Sequence, residues 1–564
     1  MVLSSRTDEN IPQRSVTKSV HCIVLAIWLC TCQILNAQTP IFTDVTAEAG
    51  IEFQHTDGRS GRYYLLEELG SGAAFFDYDN DDDLDIYFVD GTYLPGAHAE
   101  RQPTNVLYRN NGDGTFTDVT NLSGVGDTGY GVGCCVGDID NDGYLDIYVT
   151  NFGKNVLYRN NGDGTFSDVT DAANVGDGGW GASCAFADYD KDGDLDLYAA
   201  NYVEFKLDEN KVCHRGGVRT YCPPQAFEGV ADVLYRNNGD GSFSDVTKEA
   251  GVYNPRGRGL GVVWGDYDND GYLDLYVAND TNENYLYRNN RGGTFSDAAF
   301  FAGCALSEHG KMESGMGVDF GDYDNDGHLD IAVTNFQNEV ATLYRNNGNG
   351  FFTDVSYPSG TGEKTLPSLG WSVCFFDYDN DADKDLFIAN GHVYDNVELF
   401  DPSTAFAQTN HLFENLGNGS FEEVTDQIGI DFSRKTPSRG AVFGDYDNDG
   451  DIDILVTNSN SKPQLLRNDG GNRNNWVKVR AIGTASNRAG IGARIKVTTG
   501  GLVQMAEVKS GSGYLGQNEI ALHFGLGDYA TIDKIIVIFP SGSVREVEAV
   551  AANQVIQIEE ARDQ

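Results

Sequence analysis

Basic charge is scarce in this sequence: 39 Lys and Arg stand against 85 Asp and Glu, a formal charge of −46. Such a chain lacks the basic stripe that phosphate binding requires, which excludes nucleic acid as a partner of the whole surface. Long apolar runs are equally scarce. The one candidate, residues 20–35 (VHCIVLAIWLCTCQIL), is short for a bilayer span, and no later stretch could cross a membrane. There is no Ser-His-Asp order, no HExxH, no phosphate loop, and no acid pair standing apart from the repeats described below. The nine His are scattered, and His214 beside Cys213 has no second ligand pair, so zinc is excluded. What remains is 40% hydrophobic and 11% aromatic, enough for a large core, with 68 Gly to turn the chain often.

Arg6, Arg14 and Lys18 precede the apolar run, and Asn36-Ala37-Gln38 follows it. A charged start, an apolar centre and a small residue at the cut describe a signal peptide over residues 1–37, with an uncleaved anchor as the rival. Export to an oxidising compartment makes the cysteines readable. Only Cys213 and Cys222 sit in a polar, irregular stretch, VCHRGGVRTYCPP, and these are expected to form a disulfide. Cys134, Cys135, Cys184 and Cys374 lie in apolar strands and read as small buried thiols.

One nonapeptide, D-x-D-x-D-G-x-x-D, recurs seven times, starting at Asp77, Asp138, Asp188, Asp266, Asp322, Asp377 and Asp445. Each copy follows a short apolar run and precedes an alternating strand such as LDIYVTN. A second strand (LYRNN or a variant), a Gly-rich turn and a last strand (FTDVT or a variant) complete the unit. Four strands repeated seven times, about every 61 residues, describe an all-β, seven-bladed β-propeller over residues 41–470. The last unit lacks its FTDVT, while the mature chain opens on Phe42-Thr43-Asp44-Val45-Thr46. The N-terminal strand is therefore expected to close the ring.

Alternate acids on a tight loop, with Gly allowing the turn, point their oxygens at one centre. Hard carboxylates without Cys or His suit Ca²⁺, up to one per blade. The expected ligands are Asp77, Asp79, Asp81 and Asp85 in the first loop, and Asp138, Asp140, Asp142 and Asp146 in the second. Asp188, Asp190, Asp192 and Asp196 follow in the third, and Asp266, Asp268, Asp270 and Asp274 in the fourth. The fifth has Asp322, Asp324, Asp326 and Asp330, the sixth Asp377, Asp379, Asp381 and Asp385, and the seventh Asp445, Asp447, Asp449 and Asp453. The sixth position is Asp82 in the first loop and Ala382 in the sixth, so these two sites are expected to be weakest.

The loops preceded by F-G-D or F-F-D, with LYRNNGDGTFTDVT after them, resemble FG-GAP or VCBS repeats, as in integrin α-subunit propellers. The tail, with SGSGYLGQNEIALHFGLGDYATIDKIIVIFPSG and a closing NQVIQIEE, is similar to the ASPIC/UnbV domain. Together they resemble the cartilage acidic protein family. That resemblance implies a secreted, calcium-binding, adhesion-type role and supplies no catalytic residue. Read from its own alternation, residues 475–560 form a small β domain. Its Lys478, Arg480, Arg488, Arg494, Lys496, Lys509 and Lys534 read as a solvated face, with docking onto the acidic ring as the alternative.

The longest insertions, residues 91–103, 203–230 and 391–410, all fall between the second and third strands of their blades. They emerge opposite the Asp loops and make that face the expected site for an extracellular protein or glycan. Tyr93, Tyr202, Arg215, Arg219, Tyr221, His392 and Tyr394 are the expected exposed residues there. The reading is thus a secreted or cell-envelope interaction module, monomeric and not an enzyme. The alternative is a lyase-like polysaccharide enzyme or glycan-binding propeller, with Arg256, Arg258, Lys311 and His392 facing a central channel.

Overall fold

Alternating apolar and polar residues pair into antiparallel ribbons wherever the repeat recurs. The computed structural model describes residues 41–98 and 101–561, so the signal-peptide segment at 1–37 lies outside the described residues. The chain is all-β, and seven antiparallel sheets follow one another in the repeat region, six of four strands and the fourth with a fifth short strand, Glu313–Ser314, added to its second. The first runs Ala73–Phe76, Asp85–Phe88, Val106–Asn110 and Phe116–Asp118, hydrogen-bonded in that order. The sheets that follow keep this order, and they begin at Tyr130–Gly137, Gly181–Ala187, Gly259–Gly265, Val318–Gly321, Gly370–Phe376 and Ser438–Gly444. In the seventh sheet the fourth strand is Ile41–Asp44, which pairs antiparallel with Gln464–Asp469 in the register Phe42 to Asn468. The two ends of the repeat region therefore share one sheet.

The first strand of every sheet is buried along its whole length. Each touches the first strand of the next sheet, and Ser438–Gly444 touches Ala73–Phe76 in turn. Insertions at 203–230 and 391–410 leave between second and third strands, at the end opposite the Asp loops. A disulfide joins Cys213 to Cys222 and pins a small hairpin, Cys213–Arg215 with Val218–Thr220. The other described cysteines, Cys134, Cys135, Cys184, Cys304 and Cys374, are free and buried.

Two further sheets follow, one of Leu502–Glu507, Arg494–Thr499, Thr531–Ile538 and Val544–Ala551, the other of Leu522–Gly527, Asn475–Ile482 and Gln554–Glu559. Their core residues Val477, Val479, Ile495, Val497 and Ile535 join Cys184, Phe186 and Leu195 of the repeat sheets in one apolar cluster. The described residues, 41–98 and 101–561, accordingly fall in a single compact unit.

A segment of this tail, residues 507–519, runs between the first strands. Gly513 exchanges both backbone bonds with Val318 at 2.9 Å, and Gln517 does so with Ala73 and Phe75 at 3.0 Å. Leu515 O accepts from Cys134 N at 3.2 Å and Leu515 N donates to Ser183 Oγ at 3.0 Å, while Glu519 N donates to Phe443 O. Asn518 reaches Cys374 Sγ, and Glu507 accepts from Asp266 N. One segment thus bonds to all seven repeat sheets or their loops. Gly72 is required for this approach, because a Cβ there would lie 1.8 Å from Leu515 O. Leu515 and Tyr514 are wholly buried, with Tyr514 against Trp371 at 4.9 Å.

Truncating a buried Leu costs about 2–5 kcal/mol through lost transfer energy and the residual cavity. Leu515→Ala should therefore lower the denaturant midpoint of the whole molecule in one transition. Separate melting of residues 475–560 with the repeat region unmoved would contradict the wedged role of this segment.

Candidate metal centres

Each Asp loop connects the first and second strands of its sheet and is built from its own carboxylates. The position-one Asp accepts the backbone N–H of positions five and six, as Asp138 does from Asp142 and Gly143 at 3.0 and 2.8 Å. The position-five Asp accepts from position seven, as Asp142 does from Tyr144. The position-nine Asp accepts twice. Asp146 takes Ile139 N at 2.8 Å and Asn160 N at 2.7 Å. The same bonds recur in all seven loops.

Positions four and six both take positive φ, 59° at Asn141 and 93° at Gly143. Asn stands at position four in six loops and tolerates that region, with Lys191 in the third. Asp82 and Ala382 adopt φ of 66° and 83° where the other loops use Gly, so backbone strain sits in the two loops expected to be weakest.

The Asn that ends each third strand locks neighbours together. Its side-chain amide donates to the position-two carbonyl of the preceding loop: Asn160 to Tyr78, Asn237 to Ile139, Asn289 to Tyr189 and Asn346 to Tyr267. Asn415 donates to Tyr323, Asn468 to Tyr378, and Asn110 of the first sheet to Tyr446 of the seventh at 2.8 Å. The position-four Asn reaches the following loop, as Asn80 does to Gly143 O and Asn448 to Asp82 O. The sequence carried this signal as the invariant Asn of LYRN across five units, but alternation arguments gave it no role.

In the loops of sheets one, two, four and five, oxygens of positions one, three and nine lie within 4.8 Å of one another. In the third loop, Asp188, Asp190 and Asp192 do so. One oxygen of Asp79, Asp190, Asp268, Asp324, Asp379 and Asp447 is buried without any hydrogen-bond partner. Six of seven position-three residues thus aim a bare carboxylate oxygen inward. Burial, with like charges nearby, pushes Asp138, Asp188, Asp322 and Asp379 up to about 7. Asp85 rises to about 9, mainly through burial. Oxygen-only donors with uncompensated lone pairs fit a hard divalent cation. Such an ion would draw on positions one, three, five and nine.

Four of the tail's seven cations meet the repeats, while Arg488 and Lys534 stay on a partly exposed face and pair with Glu559 and Glu546 of the tail itself. Lys478, 3% exposed, bonds Asp445 at 3.1 Å and Glu519 at 3.0 Å. Arg494 bonds Asp266 at 3.1 Å and Glu507 at 2.6 Å. Glu507 and Glu519 in turn accept the backbone N–H of those two Asp. Arg480 pairs with Asp82, and Lys509 with Asp319. Acid on the repeats thus meets base on the tail in four residue pairs, beside the apolar cluster the two share.

The inserted face also departs from expectation. Tyr202, Tyr221, His392 and Tyr394 are at most 3% exposed. The insertions fold inward and pack their rings on one another, Tyr221 stacking on Tyr394 at 6.4 Å and His392 lying 5.3 Å from Tyr394. Tyr93 and Arg219 are half-buried, and only Arg215 of the expected set is exposed. Arg256 and Lys311 are exposed at the surface, and Arg258 donates to Phe227 O. With His392 buried as well, these four do not gather around a channel.

Fold and site define a repeat protein of Asp loops, and the comparisons agree. The FG-GAP-like repeat matches residues 77–149, 138–199, 228–277, 266–333, 322–388 and 403–456, and ASPIC and UnbV matches 483–564. The chain belongs to the FG-GAP-like repeat family and carries a C-terminal ASPIC/UnbV domain. Among individual proteins it is similar to cartilage acidic protein 1 of Homo sapiens, 29% identical over 338 residues, which cover 57% of this chain and 47% of that one. The Mus musculus protein of that name is 28% identical over 332 residues, covering 56% and 47%. The chain spans about half the length of the curated relatives it matches. Among solved structures, YCF48 bound to D1 peptide is similar at 8% identity and a TM-score of 0.41, covering 74% of this chain and 94% of that one.

Burial, and secondarily the charge of Arg439, lowers His55 and His392 to about 3. Their Nδ1 atoms accept backbone N–H groups at 3.0 Å, which only the neutral ring can do. A histidine depressed from about 6.5 stabilises the fold above that pH and loses its contribution as pH falls toward 3. Ring-proton NMR should show neither titrating between pH 7.5 and 5. A midpoint near 6.5 for either would contradict its buried position.

Proposed function

We propose that the chain is an exported, calcium-stapled, seven-bladed propeller that serves as an extracellular interaction module. The observation that carries this reading is the bare, buried position-three oxygen repeated in six loops. Without a cation, each loop holds like charges about 4 Å apart, a repulsion of roughly 4 kcal/mol per pair at an intermediate dielectric. Calcium at the centre of each loop removes it. Seven sheets, successive first-strand contacts and the Asn110 to Tyr446 bond support a ring in which Ile41–Asp44 completes the seventh blade.

Binding rather than catalysis is favoured by the tail segment lying among the first strands, where a substrate channel would otherwise run. Export agrees with the disulfide and with relatives named for cartilage and acidity. Among the described residues, no helix is long and apolar enough to cross a membrane. The module acts as a monomer and meets its protein or glycan partner on the inserted face.

Calcium bound to the folded state alone stabilises it by mass action. Thermal melts should fall by many degrees in chelator, recover in calcium, and recover poorly in magnesium, which demands a tighter octahedron. Asp146→Ala should remove one ion of the titrated total. Superimposable melts in calcium and chelator would show the loops to be turns only.

A further inference from the structure

In a chain of charge −46, one place gathers unpaired cations. The disulfide-pinned hairpin carries His214 and Arg215 on one strand and Arg219 on the other, with Lys211 just before it. Arg62 joins them from a separate loop, where its carbonyl accepts from Arg219 Nη2 at 2.9 Å and from Asn210 Nδ2 at 3.0 Å. Arg62, Lys211, His214 and Arg215 are exposed. None of Arg62, Lys211, Arg215 and Arg219 has a carboxylate partner, whereas Arg59, Lys206, Arg288 and Arg291 do.

Aromatic faces hold these cations in place. The Arg215 guanidinium lies 4.9 Å from the Tyr394 ring, and that of Arg219 lies 5.3 Å from Tyr63. Tyr221 bridges the two rings, 5.1 Å from Tyr63 and 6.4 Å from Tyr394. Nearby acids are turned to other work: Glu67 accepts the Tyr221 hydroxyl, and Asp57 and Asp395 hold Arg59. Asp208 and Glu398 remain exposed acids of the same loops, and Asp401 is half-buried. Set against tyrosine rings, the two guanidinia lose little freedom on meeting a planar or tetrahedral oxyanion, with Arg219 already spending Nη2 on the Arg62 carbonyl and its Nε buried.

We propose that the Arg62, Arg219 and Arg215 ridge binds an acidic polysaccharide, its carboxylate or sulfate groups on the guanidinium edges and its sugar rings against the exposed hairpin. A flexible chain can track such a ridge and avoid the acidic remainder of the molecule, where a stiff duplex cannot. The inference rests on the inserted face being the partner-binding face, and adds the chemistry of the partner.

Titration calorimetry in calcium, with a chondroitin sulfate dodecasaccharide, tests it. A polygalacturonate oligomer of equal length separates carboxylate from sulfate recognition, and a neutral dextran oligomer serves as control. The intact protein should bind at least one acidic oligomer, more weakly as salt rises, and should ignore dextran. Arg215→Ala/Arg219→Ala should weaken binding about tenfold or more, with the disulfide still formed. Arg62→Glu, exposed and unstacked, should weaken it too, at the loss of one hydrogen bond from Nη1 to the Tyr64 hydroxyl at 3.3 Å. No binding to either acidic oligomer at low salt would overturn the proposal. So would unchanged affinity in Arg62→Glu, or equal affinity for dextran or a single-stranded oligonucleotide. A protein partner mapped to this face, with no affinity for either acidic oligomer, would overturn the ridge and leave the interaction reading standing.

Discussion

Every repeat depends on one carboxylate, the Asp at the ninth loop position. It accepts the N–H of loop position two and the N–H of the Asn ending the third strand, so three strands converge on a single buried side chain. That Asn then spends its amide on the preceding loop. Backbone order, loop shape and contact between sheets therefore share one pair of residues. Because each buried donor needs an acceptor, removing either residue strands several groups at about 1–3 kcal/mol apiece.

The same arrangement creates an electrostatic problem. Drawing carboxylates together and out of water raises Asp138 to about 7 and Asp85 to about 9, mainly through burial. One answer is visible in the molecule. At Asp445 and Asp266 the tail supplies Lys478 and Arg494, each braced by a Glu that also caps the loop backbone. The position-three oxygen is nonetheless bare in both of these loops, at Asp268 and Asp447, as it is in four others, and a bound divalent ion would relieve that condition. Tail docking thus meets only part of the excess of negative charge.

Much of this was legible in the sequence, because the signals were local and repeated. Period-two alternation gave the strands, the nonapeptide gave the loops, and the orphan Phe42-Thr43-Asp44 gave the pairing now seen with Gln464–Asp469. The cysteine pair was legible because its stretch is polar and irregular. Long-range features were not. SGSGYLG reads as a Gly-rich turn, and only the geometry shows Tyr514 and Leu515 buried among first strands. Tyr394 lies in an insertion and Tyr202 at the edge of one, which suggests exposure, yet both are buried in apolar clusters with neighbouring loop residues. Charge counts placed bases on the tail without saying what they would meet.

The central claim is that the Asp loops are cation sites and not turns alone. Anomalous diffraction from crystals grown in calcium reads this most directly. The account requires a peak at the centre of the loops, about 2.3–2.6 Å from oxygens of positions one, three, five and nine. Peaks should be weakest in the loops of Asp82 and Ala382. Loops of the same shape without anomalous density, their position-three oxygens bonded only to water, would contradict it.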